Sequence, residues 1–226
     1  MMKVPFLDLH ASYIELQSEI DSSISRVLNS GRYIGGAEVE SFEDEFSNYC
    51  GSKFTIGVAN GLDALVLSLK SLNIGIGDEV IVPSNTFIAT WLAVSEVGAI
   101  PVPVEPNPST YNIDVEKIHK AITPKTKAII PVHLFGQPAD LDPILLLAKQ
   151  HNLFIVEDAA QAIGSKYKEK RIGGHGDLVC WSFYPGKNLG AFGDAGAIST
   201  NNEAKHVIKL VPESSAINGY DFDIGS

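Results

Sequence analysis

One lysine, Lys187, stands in the glycine-rich stretch FYPGKNLGAFGD, and one acid, Asp158, closes the apolar run LFIVED. Each has an ordinary explanation. A lone lysine is usually a solvated surface group, and an acid at the end of a strand can simply be the N-cap of a following helix. An acid that is instead buried needs a partner, because an unpaired carboxylate in an apolar interior is costly. Two further places in the chain bear on which explanation holds. Gly61 and Leu62 follow the run TIGVAN; a glycine opening a helix lets backbone N–H groups approach an anion at the positive end of the helix dipole, although it also serves as a plain helix entry. Phe87 lies in PSNTFIAT, where it reads as core or as a flat ring covering a flat ligand, with Ser84 and Thr86 as caps of the following helix. If one cleft holds all of these, they meet the requirements of pyridoxal phosphate. That cofactor needs a lysine for a Schiff base, an acid to keep its pyridine nitrogen protonated, donors for its phosphate and a surface for its ring.

The periodicity of the chain says which elements would carry them. Tyr13, Leu16, Ile20, Ile24, Val27 and Leu28 recur at helical spacing, and a second helix is predicted over Val39–Tyr49, so residues 1–50 read as an N-terminal helical arm. Short apolar runs then predict strands at 55–58, 79–83, 100–104, 127–131, 153–158, 178–183 and 195–200, with helices at 61–72, 87–97, 114–122 and 140–151 separating the first five. Strand and helix alternating in this way give an α/β fold with a mostly parallel sheet covered on both faces. A glycine loop rather than a helix divides the last two strands, so one of them is expected to be antiparallel or at an edge. In such sheets ligands bind beyond the carboxyl ends of the strands. Gly61, Phe87 and Asp158 all fall there.

Composition narrows the classes of function. At 226 residues, 45% hydrophobic and 19% charged, the chain can bury the core of one sizeable domain with an extension. A formal charge of −10 argues against sequence-independent nucleic-acid binding, which needs a positive field to displace counterions. Cys50 and Cys180 lack CxxC spacing, so neither a disulfide framework nor a metal site is expected, and a reducing cytoplasmic setting fits. No stretch of about 18 apolar residues suggests a membrane span or a signal peptide.

The pieces RYIGGAEVESFEDEFSNYCG, VANGLDAL, GIGDEVIVPSNTFIAT, KAIIPVHLFGQPAD, IVEDAAQAIGSKY and SFYPGKNLGAFGDAGAIST stand in the order found in the DegT/DnrJ/EryC1/StrS family of pyridoxal-phosphate-dependent sugar aminotransferases. The chain resembles that family from about Val4 to about Leu210. The resemblance implies the large domain of the aspartate-aminotransferase (type I) fold, here residues 51–210. It also implies a role for each matching residue. Lys187 would form the Schiff base and shuttle protons, Asp158 would pair with the pyridine nitrogen, Gln161 would bond the ring's 3-hydroxyl oxygen and Phe87 would stack on the ring. Ser182, with the backbone at Gly61 and Leu62, would hold the phosphate. His133 lies near the site in the motif map and reads equally as a satisfied core histidine. Some members carry histidine in place of the lysine and dehydrate sugars, so Lys187 points to transamination. The form NGLDAL resembles the branch that aminates nucleotide-linked 3-keto-6-deoxyhexoses, with glutamate as the expected amino donor and a homodimer as the expected assembly. Residues 211–226 do not match the smaller C-terminal domain of the family, and Asn218 does not stand where its partner-reaching asparagine is expected. A shortened large domain that at most binds cofactor or a partner is therefore the alternative expectation.

Overall fold

The computed structural model describes residues 4–203; the stretch 211–226, singled out above as atypical, lies outside them. The first element, α1 (Leu9–Ser30), starts where the Asp8 carboxylate accepts from the N–H groups of His10 and Ala11, and ends at Gly31 in the left-handed region. None of its residues is buried. It is tied to α2 (Ala37–Cys50) by the Arg26 guanidinium, 2.6 Å from Glu38. Helix α2 belongs to the core: Phe46 meets the rings of Trp181 and Phe183 edge-on at 5.2 and 5.3 Å.

The rest alternates as expected: β1 (Phe54–Val58), α3 (Gly61–Ser71), β2 (Glu79–Pro83), α4 (Ile88–Glu96), β3 (Ile100–Val104), α5 (Val115–Ala121), β4 (Thr126–Ile129), α6 (Leu141–His151) and β5 (Phe154–Asp158). After a two-residue ribbon, β6 (Lys166–Tyr167) and β7 (Lys170–Arg171), the sheet is completed by β8 (Leu178–Ser182) and β9 (Gly196–Thr200). The seven-stranded sheet runs β1-β9-β8-β5-β4-β2-β3. Strand β9 is antiparallel to both of its neighbours. It is not an edge strand; β1 and β3 take the edges.

Alternation along the strands covers both faces of the sheet. Val80 and Val82 point into a cluster with Leu65 and Leu69 of α3 and Val94 of α4. Ile81, Ile129 and Ile155 point the other way, onto Ile118 of α5 and Ile144 of α6. Cys50 and Cys180 are both buried free thiols. Among the described residues no helix is long and apolar enough to cross a membrane.

The ribbon of β6 and β7 was not anticipated, for a local reason. Its turn residues, Lys168 and Glu169, both adopt positive φ (45° and 65°) without the glycine or asparagine that normally announces such a turn.

Candidate active site

The register of the sheet brings one row of backbone together at its functional edge. Val58 pairs with Gly196, and Gly196 with Ser182, so the end of β1, the start of β9 and the end of β8 lie side by side. Helix α3 starts directly over that row. Its N-cap, Asn60, accepts from the Asp63 N–H through Oδ1 at 2.8 Å, and its carbonyl accepts from Ala64 N at 3.1 Å. The N–H groups of Gly61 and Leu62 are left without a partner among the described residues, at the positive end of the helix dipole and next to the Ser182 hydroxyl.

The approach of helix to strand is as close as glycine permits. A Cβ on Gly61 would lie 2.7 Å from Ser182 Cβ, and one on Gly196 would lie 2.3 Å from the Asn60 carbonyl oxygen. Gly61→Ala is therefore expected to push α3 away from β8, lowering stability by about 1–3 kcal/mol. It should weaken anion binding more than it alters the fold, which a phosphate titration beside thermal melts would check. Unchanged phosphate affinity would mean that the helix end is not the anion site.

Asp158 ends β5 and is 6% exposed. Its Oδ2 accepts from the Thr90 hydroxyl at 2.8 Å and its Oδ1 from the Ala160 N–H at 3.1 Å. The ordinary explanation, a helix N-cap, is corrected: residues 159–165 form turns and no helix, so the second bond caps a turn; the first reaches across to another helix. Burial pushes the carboxyl above its ordinary range, and the bonds from Thr90 and Ala160, with the more distant charge of Lys187, pull it back in part. No cation of the described residues pairs with it directly.

Phe87 occupies the N-cap position of α4 and is 68% exposed, with its ring on the wall of the cleft and not in the core. The helix has no side-chain cap. The expectation that Thr86 caps it is corrected: Thr86 Oγ1 instead lies 3.0 Å from Thr90 Oγ1, one helical turn on. Gln161 follows Asp158, and its Oε1 accepts from the N–H of Phe135 at 2.8 Å. Phe135 is held at φ 55°, and with the oxygen so occupied, the amide has its Nε2 donor to offer the cleft.

Lys187 sits half-buried in the loop between β8 and β9. That loop is closed by Phe183 N to Ala195 O at 2.8 Å and by Ala191 N to Phe183 O at 2.7 Å, while Lys187 N bonds Tyr184 O at 2.8 Å. The Asn188 amide ties it to the Ile163 carbonyl at 3.0 Å. A long, glycine-rich connection is thereby held in one shape.

Gly61, Leu62, Phe87, Asp158, Gln161, Ser182 and Lys187 all line one cleft of about 630 Å³. His133 is not on its wall. It is fully buried, with Nε2 donating to Glu157 at 2.9 Å and Nδ1 accepting from Ala139 N at 3.0 Å, which is the core histidine of the two alternatives. The cleft also contains Tyr184, Asp194, Thr86 and Leu92, none singled out as a ligand-facing residue from the sequence. Thr90 was missed as well. The i, i+4 spacing of Thr86 and Thr90 was its one visible signal.

Comparison with known proteins follows the same line. The family model of the DegT/DnrJ/EryC1/StrS aminotransferase family matches residues 15–215. The dTDP-3-amino-3,4,6-trideoxy-alpha-D-glucose transaminase of Streptomyces venezuelae is 56% identical over 200 residues, 88% of this chain and 53% of the relative. The chain thus spans about half the length of that curated relative. The crystal structure of S. venezuelae DesV in complex with a ketimine intermediate superposes with a TM-score of 0.91 at 52% identity, covering 97% of this chain and 60% of that one. The structure of NtdA from Bacillus subtilis with bound cofactor PMP superposes with a TM-score of 0.83 at 39% identity, covering 92% of this chain and 47% of the other.

Proposed function

The chain belongs to the DegT/DnrJ/EryC1/StrS aminotransferase family, and from that premise we propose that it carries the pyridoxal-phosphate site of a sugar aminotransferase. The enzyme would move an amino group from glutamate to a nucleotide-linked keto-deoxy sugar, a 3-keto-6-deoxyhexose by preference. The observation that carries the reading is the convergence of seven residues, from four stretches of sequence, on one cleft.

The residues present fit the cofactor. Asp158 is a buried acceptor whose bonds come from neutral donors only, so a protonated ring nitrogen supplies the charge it lacks. The free N–H groups of Gly61 and Leu62 with the Ser182 hydroxyl suit a phosphate. The Gln161 amide offers a donor, and Phe87 offers an exposed ring face.

When bound, the cofactor supplies an electron sink for negative charge developing on the substrate carbon. The protein does the rest. Lys187 provides the amine that fixes the cofactor and then takes and returns a proton at Nζ. Asp158 keeps the ring nitrogen cationic. The α3 terminus and Ser182 anchor the phosphate, so that the reacting carbon stays near the lysine loop.

In this reading residues 1–50 form the arm and 51–210 the cofactor domain of a cytoplasmic homodimer. The exposure of Phe6, Ile14, Ile24 and Leu28 on the arm and of Phe192 in the loop that carries Lys187 supports association. The second reading, a cofactor-binding domain without turnover, is separated by one experiment. Added pyridoxal phosphate should give the protein an absorbance band that Lys187→Ala lacks, and glutamate should bleach it. A band that glutamate leaves untouched would favour the second reading, and no band in either protein would refute both.

A further inference from the structure

We infer that Thr90 is a positioning residue for Asp158, and that Thr86 and Thr90 form a two-hydroxyl chain fixing the buried carboxylate as an acceptor-only group and linking it to the cleft wall. The inference rests on the reading of Asp158 as the acid that meets a protonated cofactor ring.

The direction of the chain follows from counting protons. An ionised carboxylate has no hydrogen to give, so the contact of 2.8 Å between Thr90 Oγ1 and Asp158 Oδ2 is donated by the threonine. Thr90 has one hydroxyl proton and has spent it. The contact of 3.0 Å to Thr86 Oγ1 is therefore donated by Thr86. Thr90 is 0% exposed, so its own hydroxyl meets no solvent, whereas Thr86 and Asp158 both line the cleft. With Asp158 protonated on Oδ2 the order reverses: the acid donates, Thr90 turns its proton towards Thr86, and Thr86 turns its own away. The state of the acid is thus shared with a second hydroxyl on the wall of the same cleft.

The geometry also explains why threonine stands at 90, the one polar residue among the buried positions of the helix IATWLAVSE. Its two neighbours in the core, Ala93 and Val94, are fully buried and need no such group. Other charged or titratable groups face Asp158 from each element packed around it. Lys187, from the loop after β8, favours its charge, and His133, after β4, is held between Glu157 and the Ala139 N–H. Cys180 on β8 is kept neutral, its thiol pushed up by burial. Glu157, next to Asp158 on β5, is engaged by His133 and by the N–H of Gly176.

The test is made first on the cofactor-free full chain. The Asp158 carboxyl carbon, assigned as the resonance lost in Asp158→Asn, is followed by carbon NMR through a pH titration in wild type, Thr90→Val and Thr90→Ser. Valine keeps the shape and removes the donor, so its midpoint should rise by about one to two pH units, the worth of one hydrogen bond to a charged group. Serine should stay within a few tenths of wild type. Pyridoxal phosphate should then bind Thr90→Val about tenfold more weakly and Thr90→Ser normally. Equal midpoints for valine and wild type would overturn the inference, and so would serine behaving like valine, since the role would then be packing. If Thr90→Val does not fold, Thr86→Val on the cleft wall decides. A smaller upward shift supports the chain, and none overturns it. Failure of wild type to bind the cofactor would sink the proposed function while leaving the titration to judge the hydroxyl chain by itself.

Discussion

Lys187→Ala is expected to retain the fold, to admit pyridoxal phosphate without a covalent bond, and to lose transamination by roughly 10⁴-fold or more. On the transition-state scale that is about 5.5 kcal/mol, more than any other single change in the cleft should cost. The fold survives because Lys187 holds its loop through its backbone, with N–H to the Tyr184 carbonyl, and its side chain makes no hydrogen bond or ion pair among the described residues. Phe183, Ala191, Ala195 and Asn188 keep the loop closed in its absence. Activity does not survive, because the amine both fixes the cofactor and moves the proton. Borohydride treatment followed by denaturation and peptide mapping measures the first role; single-turnover reaction with glutamate measures the second. A reducible bond at another lysine in the mutant would show that the cleft is not organised around this residue.

Why this site was so legible in the sequence is a matter of where its parts come from. Asp158, Gly61 and Phe87 each stand where a strand gives way to the next turn or helix, and strand ends are visible as the points where apolar runs stop. Period-two burial on both faces, with Val80 and Val82 on one side and Ile81 on the other, made those runs continuous and easy to bound. What was hidden depends on contacts between elements distant in sequence. The bond from Thr90 to Asp158 spans 68 positions, and nothing local distinguishes Thr90 from a threonine tolerated in a helix. The same holds for Phe135, whose positive φ aims an N–H at Gln161 although phenylalanine does not announce that conformation. That one of the last two strands would be antiparallel or at an edge was anticipated from the missing helix between them, and β9 proved to be the antiparallel one. Its place in the interior of the sheet was not, because strand order depends on how β1 closes against it.

Asp158→Asn should separate stability from function. In the cofactor-free protein the carboxyl is driven above its ordinary range mainly by burial, only partly offset by Thr90 and Ala160. A raised folded value means that the folded chain holds this proton over a window in which the unfolded chain, with the ordinary value of 3.8, has already released it. The contribution of Asp158 to stability is therefore greatest at and below that ordinary value, falls as pH rises through the folded value, and is lost above it. Above that ordinary value the buried acid is a burden on the empty protein. Asparagine carries no such burden and keeps an oxygen for the Ala160 N–H, while the Thr90 hydroxyl can turn to accept from its amide. The mutant should thus melt above wild type at pH 7, and the gap should close as the pH is lowered towards 4. Cofactor should reverse the order, since a cationic ring nitrogen repays the burial for aspartate alone, and wild type should gain the larger thermal shift on loading. Turnover with glutamate should drop by about 10²–10³-fold, the usual loss when one preorganised electrostatic partner is removed. Binding should weaken by only about tenfold, because the phosphate anchor at α3 is untouched. If the asparagine form melts lower at pH 7 and reacts with glutamate as fast as wild type, Asp158 acts as a turn cap, and the cleft must hold its cofactor nitrogen by another group.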